Sequence, residues 1–200
     1  GALSMVIETS PSFPVLTAQS PLLLVSQTPE DPEGLIRNAG TAAFVAALWE
    51  QPETQELLTS LAERLGPRLL LPEQWGQVLP QCGVLISSSV SGGSLSQRLK
   101  EAAQAAPRRC WLMLEWLAMD FTLPCPSGTG TALQREQLST LLDAYPSFFD
   151  EDLSCQYLHF ADGNTFHMVL YDTADTLARK AALAREAGFA GAVIPGSSAL

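Results

Sequence analysis

The chain is short of charge, and of positive charge above all. Charged residues make up 16% of the sequence, and only 11 are Lys or Arg against 21 Asp or Glu, for a formal net charge of -10. The few cations form no cluster. Nucleic acid and anionic membrane are therefore not expected partners, since both are held by dense basic patches. No apolar run reaches the roughly 18 to 20 residues that span a bilayer. The opening residues, Gly1-Ala2-Leu3-Ser4-Met5, contain no basic segment and no signal-peptide core. Cysteine is sparse. Cys82, Cys110, Cys125 and Cys155 show neither a CxxC pair nor zinc spacing, so neither a metal site nor a disulfide framework is expected. The serine run Ser87-Ser88-Ser89-Val90-Ser91-Gly92-Gly93-Ser94 lacks the G-x-S-x-G of a nucleophile elbow and the lysine of a phosphate-binding loop. It reads as a loop ending in a Ser cap for the helix that follows, and no cofactor is expected.

What the chain does have is apolar material. Hydrophobic residues are 46% of its 200 residues, enough for one globular domain with a real core. Residues 1–19, rich in Ser, Thr and Pro, read as an irregular lead-in, and residues 20–200 as the folded domain. Short apolar runs predict parallel strands at 22–25, between Pro21 and Pro29, and at 42–49, 68–71, 83–87, 110–116 and 190–194. Helical patterns fall between them at 33–38 (closed by Gly40), 53–65, 95–105, 131–144 and 173–187. Leu57, Leu58, Leu61 and Leu65 share one face of the second helix, and Gly66-Pro67 stops it. Asp172 or Thr173 caps the last helix, which Gly188 ends. About six such strands, each covered on both sides, imply βα units around a parallel sheet. An antiparallel hairpin with its turn at Asp162-Gly163 interrupts that order before the last helix and strand.

The last third of the chain carries a more specific signal. Met119-Asp120-Phe121-Thr122-Leu123-Pro124 is followed by Tyr157-Leu158-His159-Phe160-Ala161-Asp162-Gly163, then by His167, Val169, Tyr171 and Asp172, and finally by Thr176, Lys180, Gly188, Phe189 and Gly191. In order and spacing these residues resemble the C-terminal part of family 18 glycoside hydrolases, and most closely the branch that trims spore-cortex peptidoglycan. The resemblance covers roughly residues 80–195. It implies an α/β fold: a reduced or incomplete TIM-like βα barrel, with a small α+β insertion at about 125–172 before the last helix and strand.

The resemblance also implies what is missing. The family's fourth strand ends in a D-x-x-D-x-D-x-E run whose Glu is the general acid, and this chain contains no such run. The family's M-x-Y falls at Ser87-Ser88-Ser89, and the Trp that floors its sugar site falls at Pro195. The expectation is a catalytically inactive relative that binds a peptidoglycan-like or chitin-like glycan, or a protein partner, in a spore or cell-envelope setting; without the resemblance, the setting would be cytoplasmic. The alternatives are an active hydrolase with relocated acids and a purely structural scaffold domain.

The candidate residues follow from these readings. Glu115 and Asp120 stand near the end of one barrel strand, where two carboxylates could do acid/base work; the plainer reading is a solvated or capping pair. Trp49, Trp75, Trp111 and Trp116 are either a sugar-stacking platform or core. Trp49, at a strand's end, is the one expected to be exposed. Asp120, Tyr157 and Tyr171 complete the candidate ligand-binding set. A turn at Asp162-Gly163 would pair His159 with Phe166 and His167 with Leu158, placing the two imidazoles on opposite faces of the ribbon and excluding a shared metal site. Tyr157, Phe160, Phe166 and Tyr171 are expected to staple the insertion to the barrel. Six strands leave open edges, so either a homo-oligomer or residues 1–19 packed over an edge is expected to cover them.

Overall fold

The computed structural model describes residues 7, 10–17, 22–25, 28–39, 42–90 and 92–196. Gly40, Pro21 and Ser91 lie outside them. Seven parallel strands form the main sheet, in the order β1-β12-β6-β5-β4-β3-β2. They are β1 (Val15–Thr17), β2 (Leu22–Val25), β3 (Phe44–Ala47), β4 (Leu69–Pro72), β5 (Gly83–Ser87), β6 (Cys110–Met113) and β12 (Gly191–Ile194). Helices α1 (Pro32–Ala39), α2 (Gln55–Leu65), α3 (Leu95–Ala105) and α5 (Ala174–Ala187) accompany them.

The six expected strands are all present, and the seventh comes from the lead-in that composition had marked as irregular. Val15–Thr17 pairs in parallel with β12, and Phe13 is buried among residues of α3 and α5. This segment covers the β12 edge, one of the two coverings expected, a homo-oligomer being the other. Its Ser-Thr-Pro composition hid a strand only three residues long.

The sheet has to curl. Laid flat, its outer strands would stand roughly 29 Å apart. Yet β1 and β2 are the two outer strands, and only residues 18–21 join them, a reach of roughly 19 Å. The curl brings Phe44 of β3 edge-on to Trp111 of β6 across the concave side, with centroids 5.2 Å apart. Alternation along the strands then sorts the core into two sides. Leu16, Ala46, Leu70, Leu85, Trp111 and Val193 face the concave side. Val45, Ala47, Leu69 and Leu71 face α2 through Leu58, Leu61, Ala62 and Leu65, while Ile86, Leu112 and Ala192 face α3 and α5. The result is an incomplete TIM-like barrel: among the described residues, β1 and β2 stand at the two ends of the strand order.

Helix boundaries follow local chemistry. The α3 helix starts at Ser94, whose Oγ accepts the Gln97 N–H (3.3 Å). Thr173, not Asp172, caps α5, and Gly188 ends it with φ 91°. Between β4 and β5 there is no helix; a 3-10 turn at Glu73–Trp75 takes its place, and the Trp75 indole N–H donates to the Trp49 carbonyl (2.7 Å).

The insertion is a second, antiparallel sheet of five strands in the order β8-β7-β11-β10-β9. These are β7 (Ala118–Leu123), β8 (Thr131–Ala132), β9 (Phe148–Asp150), β10 (Cys155–Asp162) and β11 (Thr165–Tyr171), with α4 (Arg135–Ala144) on one face. The lobe therefore begins at β7, earlier than residue 125, and residues 131–132 are a strand where a helix was expected. The hairpin turn falls at Gly163-Asn164, because Asp162 pairs with Thr165; His159 meets Met168 and His167 meets Phe160. The expected register was two residues off. That offset preserves the alternation of faces, so the two imidazoles do lie on opposite sides.

Trp111 fills the bottom of the curl. A Cβ on Gly83 would sit 2.5 Å from Leu70 Cδ2 and 3.2 Å from Trp111 Cδ1, and one on Gly191 would sit 2.5 Å from Trp111 Cζ3. The indole lies where these two strands carry no side chain. Trp111→Ala should therefore lower unfolding free energy by about 3–5 kcal/mol and Gly83→Ala by about 1–3 kcal/mol, read from urea transitions. Unchanged midpoints in both would show that the curl does not depend on this plug.

Candidate functional site

The C-terminal ends of the parallel strands are where a βα barrel places its chemistry. Alternation carries Leu48, Pro72, Ser87, Met113 and Pro195 to the concave side there, two positions beyond the inward residues already named, and Glu115, two residues past the end of β6, is hydrogen-bonded by Ser87 among them. Glu115 is the one carboxylate among these positions. Ser88 builds its seat. This serine is fully buried; its Oγ accepts the Glu115 N–H (2.9 Å) and its own N–H donates to the Met113 carbonyl (3.0 Å). Two strand ends are thus tied together by a residue that the sequence offered only as part of a loop. Burial pushes the Glu115 carboxyl above the usual range, while a hydrogen bond from Ser87 and the Lys180 charge pull it down.

Asp120 belongs elsewhere. It stands on β7, and its Oδ1 lies 2.9 Å from His167 Nδ1 on β11. The His167 ring stacks on Phe160 (4.6 Å, 2°), which stacks on Tyr145 (5.3 Å). Asp120, His167 and Phe160 share the face of the lobe that α4 covers. Glu115 and Asp120, read together as an acid pair, therefore have separate partners: Ser87 and His167.

The other expected ligand residues also scatter. Trp49 is 1% exposed; the step of alternation that puts Leu48 inward turns the indole toward α2, so it is core. Tyr171 is 6% exposed, and its hydroxyl donates to Ser147 Oγ (2.6 Å). Tyr157 is half-buried on the opposite face of the same sheet, across from Leu170. Tyr157 and Tyr171 therefore cannot line one surface. The expected staple needs the same correction. Phe166 is 61% exposed and Phe160 packs beneath α4, whereas Leu117, Phe121, Leu153, Cys155 and Leu170 join the lobe to Val90 in the loop after β5. Trp111 is core, as the plainer reading held, and no group of three or more His, Cys, Asp or Glu among the described residues could hold a metal ion.

A buried pair stands behind the mouth. Asp172 accepts from Lys180 Nζ (2.9 Å), from Thr176 Oγ1 (2.7 Å) and from the Leu117 N–H (3.2 Å), and both charged side chains are fully buried. Its own N–H donates to the Leu117 carbonyl (2.8 Å). The sequence pattern contained Lys180 without a role; the signal was a lysine lying between Leu177, Ala181 and Ala184 on the apolar stripe of α5.

No protein-family profile and no curated protein matches this chain. Its fold is that of the family 18 chitinase-like barrels, related to spore cortex-lytic enzymes. The Bacillus cereus spore cortex-lytic enzyme SleL superimposes with a TM-score of 0.59 at 16% identity over 90% of this chain, which spans 56% of the SleL chain. A chitinase from Chromobacterium violaceum gives 0.55 at 13% identity, over 82% of this chain and 64% of its own. The Cycas revoluta GH18 chitinase solved with (GlcNAc)3 gives 0.54 at 14% identity, over 86% and 74%. At these identities the likeness is one of fold.

The buried pair can be tested directly. Lys180→Met leaves the Asp172 carboxylate without its counter-charge, which should cost about 3–5 kcal/mol near neutral pH. Burial already raises the Asp172 carboxyl, and loss of Lys180 raises it further. A carboxyl whose folded pKa exceeds its unfolded value of about 3.9 loses stability as pH rises through the folded pKa. The deficit should therefore shrink as urea transitions are moved from pH 7 toward pH 4. A deficit that grows on acidification would contradict this account.

Proposed function

We propose that the chain is a catalytically inactive, family 18-like domain that binds glycan of the chitin or peptidoglycan type, in a spore or cell-envelope setting. One observation carries the reading: among the described inward positions named above, Glu115 is the single carboxylate, on a fold whose solved neighbours act on or hold such glycans. SleL is a spore cortex-lytic enzyme, and the Cycas chitinase was solved with (GlcNAc)3. The absence of a D-x-x-D-x-D-x-E run supports the same reading, because that run supplies the family's general acid.

The competing reading is an active hydrolase with relocated acids. It has one point in its favour: a carboxyl raised by burial, as at Glu115, is what a general acid requires. Its expected second acid, Asp120, is engaged with His167 instead. A scaffold domain without ligand is the third reading.

Incubation with chitotetraose and with spore-cortex peptidoglycan should release no product, while calorimetric titration with chitotetraose should show binding. Turnover that Glu115→Gln abolishes would establish the relocated-acid reading instead. An absence of heat at millimolar sugar would leave the scaffold.

A further inference from the structure

The turn between β9 and β10 stands against α5 and leaves a cleft of about 400 Å³, lined by Glu151, Ser154, Arg179, Ala182, Leu183 and Glu186. Both walls are fixed. In the turn, the Asp150 carbonyl accepts the Ser154 N–H (2.8 Å) and Asp150 Oδ1 accepts the Leu153 N–H (2.9 Å). The Asp152 carbonyl accepts the Leu95 N–H at the start of α3 (2.7 Å). Opposite the turn, Arg179, Ala182, Leu183 and Glu186 form one stripe of α5, at i, i+3, i+4 and i+7. Leu177, Lys180, Ala181 and Ala184 are the buried side of that helix.

The polar groups of the cleft are left for a visitor. Ser154 is only 3% exposed, yet its hydroxyl makes no hydrogen bond among the described residues. A hydroxyl so placed takes its partner from outside the chain. Glu151 and Glu186 enter no ion pair or hydrogen bond among the described residues. The Arg179 guanidinium lies over the Phe149 ring, 4.5 Å from its centroid. That contact holds the group in place and leaves its N–H edge free to donate.

The charges have an order. Arg179 and Glu186 are separated by roughly 10 Å along the helix axis, with Ala182 and Leu183 between them. A molecule with a carboxylate at one end and an ammonium at the other matches that order, since each end meets an opposite charge. An extended chain of three residues also spans roughly 10 Å. A wholly anionic ligand would meet Glu151 and Glu186, and a wholly cationic one would meet Arg179.

We propose that this cleft binds a short peptide with free ends, its carboxylate on Arg179, its ammonium on Glu186 and its main chain against the Ser154 hydroxyl. Glu115 does not line the cleft, and the proposal is independent of the glycan reading.

The test is titration of the whole protein with trialanine, by calorimetry and by NMR. In the wild type, the amide resonances of Ser154, Ala182 and Leu183 should move along the binding isotherm. Trialanine amide and N-acetyl-trialanine should each bind at least tenfold more weakly. Arg179→Gln should no longer distinguish trialanine from its amide, and Glu186→Gln should no longer distinguish it from the acetylated form. Ser154→Gly suits the φ of 56° at that residue; it should weaken binding while the melting temperature stays within a few degrees. Equal affinity for the free and blocked peptides would overturn the proposal. So would the absence of any shift at these amides in millimolar trialanine, or charge variants that discriminate between the peptides as the wild type does.

Discussion

One carboxylate holds the two parts of this molecule together. Asp172 closes β11, the last strand of the inserted lobe, and binds the main chain of Leu117 just before β7, the first. The same carboxylate takes Lys180 and Thr176 from α5, the helix that leads back into the barrel sheet. Entry, exit and return are thus pinned at a single buried point. Transferring two charges out of water costs several kcal/mol each, so such a pair is retained only when every polar atom is answered. Here three donors answer the carboxylate. An apolar replacement of similar volume could match the stability, but it would not dictate where the lobe must dock.

The second constraint is the curl. A seven-stranded parallel sheet whose outer strands are neighbours in sequence cannot lie flat, and its concave side must be filled. Trp111 fills it, over the bare backbone of Gly83 and Gly191. Indole and glycines are therefore one unit: a Cβ at Gly191 would collide with the plug, and one at Gly83 would collide with Leu70 and crowd the plug. The described strand ends carry leucine, proline, serine, methionine and one glutamate at their inward positions.

The lobe inverts an expectation about which aromatics stay at the surface. Tyr171, expected to meet a ligand, is consumed by packing and by a hydrogen bond inside the lobe, and Phe160, expected to staple the lobe to the barrel, packs under α4. Phe148, Phe166 and His159, which carried no ligand-binding expectation, are left exposed. Burial selects among aromatic residues by where the sheet's two faces end up, and that depends on which face α4 covers.

Much of the architecture was legible in the sequence. The apolar runs of Leu69-Leu70-Leu71 and Gly83-Val84-Leu85-Ile86 could only be buried strands, and the Leu57, Leu58, Leu61, Leu65 stripe could only be a helix seeking a sheet. Gly188 and Thr173 marked helix ends because left-handed backbone and an unpaired N–H are local matters. Alternation alone placed the two histidines on opposite faces, even with the turn set one residue early. Beyond such local signals the sequence was silent. It did not show that Val15–Thr17 joins the sheet, since a three-residue strand gains its stability from the edge it meets. Nor did it show that Trp49 turns inward to α2, that Ser88 ties two strand ends, that Asp120 pairs with His167 across the lobe, or that Phe166 is left bare. Each of these depends on contacts between residues distant in the chain, so only tertiary structure could decide them.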